Sequence, residues 1–89
     1  MTPLENLASR CIWWEPPEVS LRDKNRFLAY AMNRGTWDDL LLLEHEFSAT
    51  ELAAALAQAT PGILCARSWN FWHLRLGLPV PPLPVKKIP

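Results

Sequence analysis

The chain has 89 residues and a formal net charge of zero, nine Lys and Arg balancing nine Asp and Glu. That length holds one small domain and excludes a two-domain architecture. With 49% hydrophobic and 20% charged residues, the chain is too apolar to be disordered. Its longest apolar stretch with helical character, Leu40 to Leu43, is far short of the ~20 residues that cross a bilayer. The start Met1-Thr2-Pro3-Leu4-Glu5-Asn6 has neither the basic region nor the apolar core of a signal peptide, so a cytoplasmic protein is expected.

Thr2-Pro3-Leu4-Glu5 is a capping-box pattern with Pro at the first helical position, and it predicts a helix from Pro3 to about Cys11. Leu4, Leu7, Ala8 and Cys11 fall on one face of it. Ile12-Trp13-Trp14-Glu15-Pro16-Pro17-Glu18 is expected as an ordered loop, because each proline disfavours the α region in the residue before it. A second helix is placed at 21–34, capped by Ser20 and stopped by Gly35 in a left-handed conformation. Thr36 caps a third, at about 37–46, with Asp38 and Asp39 in the first turn where the helix dipole favours acids.

Ser48-Ala49-Thr50-Glu51 is a further capping box and opens an alanine-rich helix from 49 to about 59. Thr60-Pro61-Gly62 breaks it, and Ile63 to Ala66 read as a short turn. Ser68 is the expected cap of a last helix through Leu76, closed by Gly77. Five of the last eleven residues, Pro79 to Pro89, are proline, which predicts an extended polyproline tail. The fold class is therefore all-α, four or five short helices over residues 1–78, followed by the Pro-rich tail at 79–89.

Residues that would carry chemistry are sparse. His45 lies between Glu44 and Glu46, whose side chains leave a helix in different directions, and no second histidine completes a metal motif. His73 has no Cys, His or carboxylate at helical spacing. Three separated glycines exclude a phosphate-cradling loop. Cys11 and Cys65 are too few for a disulfide scaffold or a zinc site and are expected as reduced, buried thiols. Neither an enzyme nor a metal or other cofactor is expected.

Five tryptophans are a heavy load for this length. Trp72 and one of Trp13 and Trp14 are assigned to the core, while Trp37 and Trp69 suit either the core or an interface. Charge is segregated: residues 20–35 carry a net +3 and residues 36–51 a net −5. Thr50 to Leu76 also admits a helix-turn-helix reading, in which Arg67, Ser68, Asn70, His73 and Arg75 would face DNA. A neutral domain with no Lys or Arg on the supporting helix argues against it. Pro81-Pro82-Leu83-Pro84-Val85-Lys86 satisfies a PxxPxK pattern of the kind SH3-type grooves recognise, and such matches are common by chance.

Ile12-Trp13-Trp14-Glu15, Arg34-Gly35-Thr36-Trp37-Asp38-Asp39-Leu40 and Ser68-Trp69-Asn70-Phe71-Trp72 before Gly77 together resemble a family of small bacterial proteins. Members of that family are often encoded beside nucleotidyltransferase-like toxins of the AbiEii type. The resemblance implies an antitoxin-like or accessory protein that binds a partner enzyme. The expected partner surface is the acidic helix, with Asp38, Asp39, Glu44 and Glu46 meeting a basic cleft, Trp37 as apolar anchor, Trp69 as a second ring and the tail ordering on contact. A DNA-binding regulator is the alternative, and an exposed tryptophan would also favour a homodimer.

Overall fold

A computed structural model describes residues 2–84 and contains six helices: α1 (Pro3–Cys11), α2 (Pro17–Ser20), α3 (Lys24–Arg34), α4 (Trp37–Glu46), α5 (Ala49–Ala57) and α6 (Ala66–Arg75). No strand occurs among the described residues, so the fold is all-α. No helix among them is long and apolar enough to cross a membrane.

Three helices begin where their sequences say they must. Thr2 with Glu5, Thr36 with Asp39 and Ser48 with Glu51 each form a closed capping box, satisfying two backbone amides that the helix leaves without partners. α6 starts earlier than its expected cap at Ser68: Cys65 holds the N-cap position without a side-chain capping hydrogen bond, and Ser68 lies within the helix. At the other end of α6, Gly77 takes φ +71°, and the amides of Gly77 and Leu78 donate to the carbonyls of Leu74 and His73. This is a Schellman stop, which needs a residue without a Cβ at the left-handed position.

The residues between α1 and α3 depart from the expected loop. Pro17 opens the short α2, where its missing N–H costs nothing, and the amide of Ser20 donates to the carbonyl of Pro16. Ser20 therefore does not cap the next helix. It is buried, and its hydroxyl donates to Glu15 Oε1 at 2.7 Å, the same carboxylate that receives Arg26 at 2.6 Å. Asp23 takes over the cap by accepting from the Arg26 amide, which moves the start of α3 to Lys24. Gly35 is likewise not left-handed: φ is −70°, and a Cβ there would lie 2.6 Å from the Ala31 carbonyl oxygen and 3.0 Å from Asp39 Cβ. Close approach of α3 and α4, not helical handedness, requires glycine at this position.

α3 is the central helix and packs on α1, α2, α5 and α6. Its Phe27, Leu28, Ala31 and Met32 meet Leu7 and Cys11 of α1, Leu52 and Leu56 of α5, and Trp72 of α6 in one apolar cluster. The loop residue Ile12 is buried in the same cluster, whereas Trp13 and Trp14 are 72% and 45% exposed, so neither supplies the core ring expected from this pair. The first residues of the tail also lie against the domain. Trp69 is buried, its indole N–H donates to the Pro81 carbonyl at 2.8 Å, and Leu83 packs on the core. The last two residues of the PxxPxK match, Val85 and Lys86, lie outside the described residues.

Candidate protein-binding face

α3, α4 and α6 leave an open groove of about 450 Å³ between them. Met32, Leu40 and Trp72 form its apolar floor, Trp37 and Phe71 stand on its two banks, and Asn33, Thr36, Cys65, Arg67 and Ser68 supply a polar rim. Leu41 on α4 and Leu74 on α6, each one turn along from a bank aromatic, extend the exposed apolar surface beyond the groove.

The aromatic walls are held in place. Trp37 is 58% exposed, yet the Arg75 guanidinium stacks 5.0 Å from its ring centroid. Arg75 is itself fixed by paired hydrogen bonds to Glu44, both 2.7 Å long. These bonds hold the Glu44 carboxyl below its usual range. Phe71 meets Trp72 edge to face at 5.7 Å, and the Trp72 indole N–H donates to the Met32 carbonyl at 3.0 Å. An exposed ring fixed in this way loses little conformational entropy when something covers it.

Cys65 sits at the rim and is exposed, contrary to the expectation of two buried thiols, while Cys11 is buried; both are free. A hydrogen bond with the Ser68 hydroxyl, first, and with nearby backbone draws the Cys65 thiol below its ordinary pKa. Burial pushes that of Cys11 up. The Cys65 amide donates to Asn33 Oδ1 at 3.0 Å, tying the start of α6 to the end of α3.

The residues expected to meet a partner divide sharply. Trp37 and Asp38 are exposed at the mouth of the face, and Glu46 is exposed at the far end of α4 beside His45. Glu44 is half-buried and committed to Arg75. Asp39 is only 6% exposed: both its carboxylate oxygens accept from Arg10, at 2.8 and 3.0 Å, and one also accepts from the Thr36 amide. Trp69 is under the tail. The −5 segment is therefore not an acidic docking strip, because Asp39, Glu44 and Glu51 are spent inside the domain on Arg10, Arg75 and Lys24.

The five residues of the helix-turn-helix reading do not form one reading face either. Eight residues, 58–65, separate α5 from α6, more than the three or four of such a turn. His73 is buried with Nδ1 2.7 Å from the Trp69 carbonyl, which can only accept, so that nitrogen carries the proton. Ser68 donates to the Asn33 carbonyl, Arg75 is held by Glu44, and only Arg67 and Asn70 are exposed without such a tie.

Comparison with protein-family models, curated proteins and solved structures gives no match. The residues of this face that sequence reasoning passed over are Met32, Leu40 and Phe71 in the groove and Leu41 and Leu74 beyond it. Phe71 and Leu74 carried a signal, their three-residue spacing on α6, but only the packing shows that this face points outward.

Proposed function

We propose that this chain is a non-catalytic protein-binding module, antitoxin-like or accessory to a nucleotidyltransferase-type toxin, and that it receives its partner on the α4–α6 face. The observation that carries this reading is Trp37, a large ring left more than half exposed yet braced by Arg75 at the edge of an apolar groove. Tryptophan and arginine dominate the energetics of protein interfaces, and an ordered, partly exposed aromatic beside a pocket is the arrangement they adopt there. The three-stretch resemblance to proteins encoded beside AbiEii-type toxins supports the choice of partner. The partner contact differs from an acidic helix in a basic cleft: it is mainly apolar, anchored by Trp37 and Phe71 and edged by single charges.

Affinity capture with a co-expressed AbiEii-type nucleotidyltransferase tests the reading. The wild-type chain is expected to retain the enzyme, and the Trp37→Ala, Phe71→Ala double variant to lose it while keeping a wild-type helical spectrum. Retention by the double variant would reject this face.

A further inference from the structure

We infer that a second copy of this chain covers the α4–α6 face when no other partner occupies it, with a two-fold axis setting Asp38 of each protomer against Arg67 of the other. The inference rests on the reading that this face binds protein, and its own content is the occupant.

The charges left over on the two banks carry it. Of the charged groups on α4 and α6, Asp39, Glu44 and Arg75 are neutralised within the protomer, and Glu46 lies at the far end of α4 beside His45. Asp38 and Arg67 remain, both exposed and neither with an oppositely charged group within 4.0 Å among the described residues. They have opposite sign and stand on the two helices that flank the groove: Asp38 is exposed next to Trp37 on α4, and Arg67 lines the groove one turn before Phe71 on α6. Between them the surface is apolar: Trp37 and Leu41 on one side, Phe71 and Leu74 on the other.

A surface that places one unpaired charge of each sign either side of an apolar trough is self-complementary. A two-fold axis lying along the trough exchanges the banks, so that each Asp38 meets an Arg67 and apolar side chains meet apolar side chains. A uniformly acidic or uniformly basic partner would satisfy one bank and oppose the other. The apolar area supplies the association energy, and the two charge pairs fix the register.

Sedimentation velocity on the full-length chain tests this. The wild type is expected to sediment as a concentration-dependent dimer. Arg67→Glu sets two carboxylates against each other at each contact, and Asp38→Arg sets two guanidinium groups against each other, so each variant alone should dimerise at least ~10-fold more weakly. In an equimolar mixture of the two, neither contact of the mixed dimer joins like charges: one joins the two native residues and the other the two substituted ones, each pair of opposite sign. The mixture should therefore dimerise like the wild type. The inference is overturned by a monomeric wild type, by a mixture no better than its components, or by dimerisation that Trp13→Ala abolishes and the charge variants spare. Capture of the nucleotidyltransferase is read separately. Loss of dimerisation with capture intact removes only the second copy as occupant, whereas loss of capture with dimerisation intact removes only the toxin as partner.

Discussion

Asp38 and Asp39, adjacent on α4, mark two regions built to opposite ends. Around Asp39 the chain closes in on itself: Arg10 arrives from α1, Thr36 completes the cap, and Gly35 admits the close approach of α3. Around Asp38 it stays open, with Trp37 on one side and an apolar groove beyond. The difference shows how a domain of this size keeps aromatic surface in water without losing its shape. The closed junction fixes the backbone of α4, and the backbone then holds the open ring in position. The closed junction and the open aromatic surface are thus separated by a single step along the chain.

The sharpest way to break that contrast is to remove the two carboxylates one at a time. Asp39→Ala deletes a bidentate ion pair and half of a capping box and should cost roughly 3 kcal/mol, discounted because Arg10 is half-exposed and can rehydrate. Asp38→Ala removes only a favourable helix-dipole contact and should cost about 0.5 kcal/mol or less. Urea unfolding of the two variants measures both. Acid gives the same result without mutation. The Arg10 guanidinium holds the Asp39 carboxyl at about 2, below its ordinary 3.8. Because the folded value is the lower one, the Asp39 contribution is full above pH ~4 and disappears as pH falls towards ~2, a loss of roughly 2 kcal/mol. Wild-type stability should therefore fall more steeply over that window than stability of Asp39→Asn.

What the sequence makes legible here is what its physics keeps local. Three capping boxes, each spanning four residues, set the starts of α1, α4 and α5, and Gly77 sets the stop of α6. Legibility ends where a residue's role is assigned by one far away. Ser20 is the cap the sequence suggests for the helix ending at Arg34, but its hydroxyl is taken by Glu15, and Asp23 caps α3 instead. Asp39 looks like a solvent-facing acid until Arg10, 29 residues earlier, is brought beside it. The fate of the five tryptophans follows the same rule. Trp69 and Trp72 are interior because backbone carbonyls of Pro81 and Met32 lie within reach of their indole N–H groups. No spacing in the sequence announces either partner.

A smaller effect separates the tail from the face it lies behind. Truncation after Leu78 removes the acceptor of the Trp69 indole and the apolar cover that Leu83 provides. An unpaired buried N–H costs about 1–2 kcal/mol, although exposure by the truncation lets water replace part of that bond, so a net loss of about 1 kcal/mol is expected. Tryptophan fluorescence should shift to the red as Trp69 meets solvent. A truncated chain as stable as the full one, with unshifted emission, would place the tail outside the folded unit.

A comparably small change in stability belongs to the largest exposed ring of the groove. Trp37 rests on Arg75 and closes no part of the core, so Trp37→Ala gives up one exposed cation–π contact and should cost only about 0.5–1 kcal/mol. Burying the same ring against a partner recovers far more, since a fully covered tryptophan anchor contributes ~2 kcal/mol or more to binding. The two costs therefore part company: one thermal melt and one binding isotherm on the same variant should show an almost unchanged domain that has lost its partner. Arg75→Ala sharpens the point. It removes no residue from the groove, but it frees Trp37 to rotate and breaks the tie to Glu44. If bracing is what makes the ring an anchor, Arg75→Ala should weaken partner binding by ~3–10-fold with Trp37 still present, and Arg75→Lys, which keeps the charge without the planar stack, should not restore it.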